Sequence, residues 1–186
     1  MARLHTFEEI QRIHDMDKPI SVTTYYGEVT EESMCTALNT MGVDGESSFL
    51  DFGCGPGRWL AVAHALGAGH VAGVEFVKSR VDIARHVLGD TVRLFEGDGT
   101  RNEVWDAVSP THVVFYNRVS RELRAFYAAV NRCKTIQKVL LWKTTDRLRG
   151  FRCENTMRTA TPAGETFTAY LYVRSSPSHN QSRAMQ

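Results

Sequence analysis

Asp51-Phe-Gly53-Cys-Gly55-Pro-Gly57 follows the apolar run Ser48-Phe-Leu-Asp-Phe52 and leads into a helical pattern from Arg58 to Leu66. A short buried strand, a turn with three alternating glycines and a helix make the first unit of an open α/β sheet. In such sheets ligands bind in the crevice at the carboxyl ends of the strands. The glycines allow the backbone to approach a ligand where a Cβ would clash. The spacing is Gly-x-Gly-x-Gly, and not the Gly-x-Gly-x-x-Gly of a dinucleotide fingerprint.

Working outward, the same alternation continues. Thr30 is placed to cap a helix that runs to Met41 and stops at Gly42. Residues 70–75 read as a second strand, followed by a helix carrying Val77, Val81, Ala84 and Leu88. Val92–Phe95 is a third strand with a short helix near Glu103–Ala107, and residues 111–116 are a fourth. Ser120 opens a helix with Leu123, Phe126, Tyr127 and Val130 on one face, and Lys138–Trp142 is a fifth strand. Alternating strands and helices predict a Rossmann-like α/β fold with a mostly parallel sheet between helices. Residues 151–159 and 166–174, around Pro162-Ala-Gly164, predict an antiparallel C-terminal hairpin. In its second strand Phe167, Ala169, Leu171 and Val173 face one way and Thr168, Tyr170 and Tyr172 the other. Ahead of all this, Thr6-Phe-Glu-Glu9 has the capping-box form of a further helix. Residues 1–174 are expected to form one domain, with 1–44 a helical segment and covering loop and 45–174 the core. The polar stretch 175–186 is expected to be a disordered tail.

The 186 residues suffice for one domain that buries roughly two-thirds of its unfolded surface. With 42% hydrophobic and 23% charged residues, the chain reads as a packed globule and not a disordered one. No apolar run approaches the ~20 residues of a membrane span, and Glu8, Glu9, Asp15 and Asp17 leave no signal-peptide core near the start. Cys35, Cys54, Cys133 and Cys153 form no Cys-x-x-Cys pair, so free thiols in the nucleus or cytoplasm are expected. The net charge of +1 hides a partition: Arg118 to Arg158 holds 11 Lys+Arg against 3 Asp+Glu. Two readings stay open for that segment, a solvated surface or a basic face for nucleic acid or a nucleosome.

Three carboxylates stand at three successive strand ends. Asp51 lies two residues before the first glycine, where it would repel a pyrophosphate and suit an ammonium group. S-adenosylmethionine carries such a group beside its cationic sulfur. Glu75, 24 residues after Asp51, is placed for both ribose hydroxyls, and Asp98 for the adenine amine. Gly53, Gly55 and Gly57 in the first turn, Phe76 beside Glu75 and Gly99 beside Asp98 complete this candidate donor set. No Gly-Lys-Ser/Thr supports nucleotide hydrolysis, and the histidines lack metal-ligand spacing, so no metal is expected.

The acceptor meets residues after the fourth strand, Val113-Val-Phe-Tyr116-Asn117-Arg118. There is no Asn/Asp-Pro-Pro-aromatic motif for exocyclic base amines and no Pro-Cys nucleophile. An amine fits better. A lysine with a pKa near ~10.4 must shed its proton before it attacks, and an apolar aromatic channel favours that. Asn117 offers a neutral oxygen to align the amine, and Tyr26, Tyr116 and Tyr170 are candidate channel walls, with ordinary strand packing as the other reading of the last two.

Tyr26-Gly27-Glu28, the glycine turn, Gly73-Val74-Glu75, Gly97-Asp98 and Phe115-Tyr-Asn117 together resemble one family across residues 22–120. It is the disruptor-of-telomeric-silencing family of non-SET histone lysine methyltransferases. The resemblance implies a class I methyltransferase fold, S-adenosylmethionine as donor and a lysine in the globular core of a nucleosomal histone as acceptor. It also implies that Tyr26 to Glu28 lie over the donor, with Glu28 near its methionyl end, and that Asn117 is the active-site asparagine beside donor and acceptor. The segment 118–158 would then face the nucleosome. The chain departs from the family at Arg118, which replaces a second asparagine, at Val119-Ser-Arg121, which replaces Phe-Ala-Phe, and at Ala169-Tyr170, which replaces paired tyrosines. The rival expectations are a class I enzyme acting on another protein, RNA or a small molecule, and a donor-binding scaffold without turnover.

Overall fold

The computed structural model describes residues 12, 13, 16, 29–115, 120–142, 148–162 and 164–176, with the backbone alone at 120–122. Seven strands form one sheet: β1 (Ser48–Phe52), β2 (His70–Glu75), β3 (Arg93–Glu96), β4 (His112–Phe115), β5 (Lys138–Trp142), β6 (Phe151–Ala160) and β7 (Thr166–Arg174). Their spatial order is β3-β2-β1-β4-β5-β7-β6. The first five are parallel neighbours, while β7 runs antiparallel to both β5 and β6. The chain winds one way from β1 through β2 to β3 and the other way from β4 to β5. The switch between β1 and β4 opens a crevice at their carboxyl ends.

Among the described residues α1 (Glu31–Met41) precedes β1, and four helices connect strands: α2 (Arg58–Ala65), α3 (Lys78–Leu88), α4 (Asn102–Val108) and α5 (Ser120–Arg132). Local sequence explains their limits. Thr30 Oγ1 accepts from the Ser33 amide at 3.3 Å, and Gly42, at φ +70°, closes the other end of α1 by donating to the Asn39 and Leu38 carbonyls. These are the predicted cap and stop. Ile13 is buried with the same core that α1 joins, and Arg12 and Met16 beside it are helical and exposed; the other residues of the predicted first helix, like residues 177–186 of the tail, lie outside the described residues.

Strand alternation divides the apolar residues between the two faces. Phe49, Val114, Leu140, Trp142, Ala169 and Leu171 pack with α1, α2 and α3. Leu50, Phe52, Val113, Phe115, Leu141 and Tyr172 pack with α4 and α5. On the second face Phe126 of α5 stacks with Phe115 and Phe52, ring centroids 4.5 and 5.1 Å apart. The predicted alternation along β7 is observed, with Phe167 and Val173 on the first face and Tyr170 on the second. Being apolar on both sides, β7 takes the interior position, and the polar β6, mostly exposed from Arg152 to Arg158, takes the edge. A bulge between Cys153 and Asn155 breaks its regular pairing.

Half-buried cations and a buried histidine close the helix ends at the amino-terminal edge of the sheet. The Arg174 guanidinium donates to the Cys133 carbonyl at 2.8 Å, holding the end of α5, and lies 4.5 Å over the Phe151 ring. Lys138 Nζ donates to the Met41 carbonyl at 2.6 Å, and His112 Nε2 donates to the same oxygen at 3.2 Å while Nδ1 accepts from Thr111 Oγ1. Burial first, then the Lys138 charge, holds the His112 pKa below its usual 6.5. The unfolded chain therefore binds the proton first, and this histidine's contribution to stability is lost as pH falls below about 6.5. Thermal melts at pH 7.5 and 5.5 are expected to show a smaller acid-side loss for His112→Gln than for the native chain. An equal loss would mean that His112 is not the group responsible.

Candidate functional site

The site is built on the carboxyl ends of β1, β2 and β3. Leaving β1, the Gly53 and Cys54 amides both donate to the Val74 carbonyl of β2, at 2.9 and 3.0 Å. The Gly55 amide then donates to Glu75 Oε2 at 2.9 Å, and the Gly57 amide to the Cys54 carbonyl at 3.0 Å. Gly53, Gly55 and Gly57 all have positive φ, +84°, +54° and +96°, so three residues of a five-residue turn occupy backbone space that favours glycine. A Cβ on Gly57 would come within 2.9 Å of Leu88 Cδ1 and 3.2 Å of Ala84 Cβ, so its absence also lets the start of α2 approach α3. A Cβ on Gly53 would meet nothing within 4 Å.

Asp51 is 3% exposed, and among the described residues its Oδ2 has no hydrogen-bond partner. Burial, and then the negative charge of Glu75, push its pKa well above the ordinary 3.8. A buried acceptor left unpaired costs on the order of 1–3 kcal/mol. It is the sort of group that a cationic ligand satisfies. Cys54, buried beside the two carboxylates, has its thiol pKa raised by burial and then by Asp51 and Glu75, so it stays neutral and is no nucleophile. Glu75 is buried as well, its Oε1 accepting from the Val77 amide at 2.8 Å.

The outer part of the site is open. Phe76 is 78% exposed directly after Glu75, an apolar ring at the mouth of the crevice. Asp98 is exposed, and its Oδ1 accepts from the Thr100 amide and hydroxyl at 2.9 and 2.7 Å. Those bonds hold its carboxyl below the usual range, so it is ionised at neutral pH. Gly99 is buried, and a Cβ there would stand 2.7 Å from Phe52 Cε2 and 2.8 Å from Val74 Cγ1. Its carbonyl accepts from Trp105 Nε1 at 2.8 Å. Gly99 thus seats the third loop on the core.

The structure brings Asp51, Gly53, Gly55, Gly57, Glu75, Phe76, Asp98 and Gly99 to the carboxyl ends of the neighbouring strands β1, β2 and β3. Tyr170 lies farther along the sheet, paired with Leu141 and Thr156 and half-buried on the face covered by α5. Tyr26, Glu28, Tyr116 and Asn117 lie outside the described residues. Three contributors do not emerge from the sequence pattern: Gly73 as the packing partner of the glycine turn, Thr100 as the anchor of Asp98, and Trp105 as the anchor of Gly99. Gly73 does carry a signal, since a glycine inside a buried strand marks close backbone approach. The basic segment is divided between the two ends of the sheet, with exposed Arg158 in register with Thr168 toward the end where Ala169 registers with Trp142. Its exposed Arg132, Lys134, Arg149 and Arg152 gather at the amino-terminal end of β5, where Arg152 registers with Val173 and Val173 with Lys138. That is the end opposite the glycine turn. Arg118, Lys143, Arg147 and the side chain of Arg121 lie outside the described residues.

Neither a protein-family model nor a curated protein sequence matches the chain. Solved structures do match in fold. TrmN from Thermus thermophilus superposes with a TM-score of 0.64 at 16% identity over 82% of this chain. The chain spans only about half, 51%, of that protein. Magnesium protoporphyrin IX methyltransferase (ChlM) from Synechocystis PCC 6803, solved with bound SAM, gives 0.59 at 18% identity, covering 78% of each chain. An RNA methyltransferase from Salinibacter ruber, solved with S-adenosyl-L-homocysteine, gives 0.58 at 19% identity, over 79% of this chain and 94% of that one. The fold is Rossmann-like, the one these methyltransferase structures share. Among the described residues no helix is long and apolar enough to cross a membrane.

Proposed function

We propose that this protein is an S-adenosylmethionine-dependent methyltransferase whose acceptor is a protein lysine, with a nucleosomal histone the first to test. The observation that carries the donor half is Asp51, a buried carboxylate oxygen without a partner among the described residues, at the glycine turn of a Rossmann-like fold. An ammonium group of the donor's methionyl end would satisfy it. Glu75 would hold the ribose, Asp98 the adenine amine and Phe76 the adenine face. The structures of ChlM with SAM and of the Salinibacter ruber enzyme with S-adenosyl-L-homocysteine are consistent with this choice of ligand.

The donor supplies an activated methyl group when bound. The chain's own part is positioning and the exclusion of water. Asn117 would align a neutral amine without holding it in its charged form, and tyrosines would wall the channel. The lysine half of the proposal is supported by the family resemblance in residues 22–120, above all Tyr26-Gly27-Glu28. A nucleosome using Arg132, Lys134, Arg149 and Arg152 would dock against the end of the sheet away from the donor, so the proposal places its docking on the remainder of 118–158.

The test is transfer of label from radiolabelled S-adenosylmethionine to intact nucleosomes, free histones and a total cell extract in parallel. Label on a histone in nucleosomes is the expected result. Label only in other extract components would keep the methyltransferase and discard the histone. Gly55→Arg, which inserts a long side chain into the turn, is expected to abolish donor binding and serves as the blank. Asn117→Ala is expected to lose turnover by at least ~10²-fold while keeping donor affinity, as for a group that acts by alignment. Binding without transfer to any acceptor offered would favour the scaffold.

A further inference from the structure

Three consecutive amides of the glycine turn hang on two consecutive residues of β2. Gly53 and Cys54 donate to a backbone carbonyl, that of Val74, but Gly55 donates to a side chain, Oε2 of Glu75. The other oxygen of the same buried carboxylate accepts from the Val77 amide at the start of α3. We infer that Glu75 is a positioning residue for the methionyl half of the donor site, clamping the Gly55 amide to the Val77 amide, in addition to contacting the ribose. The inference rests on the donor reading above for its ligand, and on these two hydrogen bonds for its geometry.

The physical case is one of satisfaction and reach. Gly55, at φ +54°, belongs to a turn with few side chains of its own to hold it. Its amide is buried, and without an acceptor it would either stay unpaired or draw the turn away toward water. Among the described residues no backbone oxygen takes it, whereas the neighbouring amides use one. A carboxylate can do this and still bind a sugar, because each oxygen has two acceptor sites and the amides occupy one apiece. Glutamine cannot do the same, since its NH2 end would face one of the two N–H donors. Glu75 therefore links the part of the crevice that meets the methionyl group to the part that meets the ribose.

A pair of ligands separates the clamp from a ribose contact. S-adenosylhomocysteine and 5′-methylthioadenosine share adenine, ribose and thioether, but only the first has the amino and carboxyl groups that the glycine turn would meet. Calorimetric affinities of both are compared for the native chain, Glu75→Ala and Glu75→Gln. The expected result is that Glu75→Ala weakens S-adenosylhomocysteine about 10-fold more than 5′-methylthioadenosine, the loss of one charge-assisted hydrogen bond's worth of order at the turn. An equal loss for both overturns the clamp and leaves a ribose contact only. Amide exchange in the ligand-free protein tests the clamp without any donor. The Gly55 and Val77 amides are expected to be protected in the native chain, and Glu75→Gln to lose protection at one or both of them while Gly53 and Cys54 stay slow. Unchanged exchange at Gly55 and Val77 overturns the inference. Failure of the native chain to bind either ligand would instead sink the donor reading, with the clamp still judged by the exchange rates.

Discussion

Asp51→Asn is expected to stabilise the ligand-free protein and, in the same variant, to weaken S-adenosylhomocysteine binding by roughly 10- to 100-fold, the worth of a lost hydrogen bond to a charged group. The two effects share one cause. In the free protein the Asp51 carboxyl is buried, Oδ2 lacks a partner and Glu75 lies close enough to oppose its charge. An amide is neutral at every pH and has nearly the same volume, so it carries neither the cost of that charge nor the cost of protonating the carboxyl. A gain of about 1 kcal/mol would raise Tm by about 2–4 °C in a domain of this size. The sign of the pH dependence follows from the raised pKa. Between the unfolded value of 3.8 and the higher folded value, the native state binds the proton and the unfolded state has lost it. The stability contribution is thus full below about pH 3.8 and declines as pH rises through the folded pKa. The melting curve of Asp51→Asn should lack this decline. Binding of an ammonium ligand runs the other way, because the carboxyl must ionise to pair with it, so native affinity should rise with pH and binding should release a proton. Calorimetry in buffers of different ionisation enthalpy measures that release. A variant with unaltered affinity would remove Asp51 from the donor site.

Gly73→Ala is expected to destabilise the protein by about 1–3 kcal/mol, the usual range for overpacking a filled core. Gly73 lies in β2 opposite Asp51 in the register. A Cβ there would stand 2.7 Å from Cys54 Sγ, 2.8 Å from Cys54 Cβ and 2.7 Å from Leu60 Cδ1. Those atoms belong to the glycine turn and to α2, so relief of the clash must displace the turn or the helix that follows it. Donor affinity should fall with stability for that reason. Cys54→Gly removes two of the three close atoms. In the Gly73→Ala background it should recover part of the lost stability, although alone it costs some. A double-mutant cycle from denaturant titrations gives the coupling. Additive effects would show that the turn does not rest on Gly73.

Residues whose signal is local were legible in the sequence. The caps of α1 at Thr30 and Gly42, the five parallel strands and the two faces of β7 follow from short-range chemistry and from periods of 3.6 and 2. So did the carboxylates at the ends of β1 and β2, because the open α/β plan assigns strand ends to the crevice. The anchors Thr100 and Trp105 were not legible. A loop threonine and a helical tryptophan have no periodic signature, and their roles appear only when the loop after β3 folds back over Phe52 and Val74.

The placement of the basic segment shows the same limit at longer range. Composition counts the charges of 118–158 but contains no direction, and β5, the hairpin and the end of α5 carry four of them to the edge remote from the crevice. Within the hairpin, the polarity of β6 suits an edge strand, yet insertion of β7 between β5 and β6 required the apolar register of Leu140 with Leu171 and of Trp142 with Ala169. By itself, then, the sequence determined the element order, the glycine turn and the identity of the acidic residues around it, because those depend on backbone conformation and neighbours a few positions away. Only the tertiary structure decided that Asp51 is buried with an oxygen unpaired, that Glu75 holds two amides and that Gly73 has no room for a methyl group. Each of those facts depends on groups from separate elements, such as Gly55 with Glu75 or Cys54 with Gly73, meeting in a space from which water is excluded.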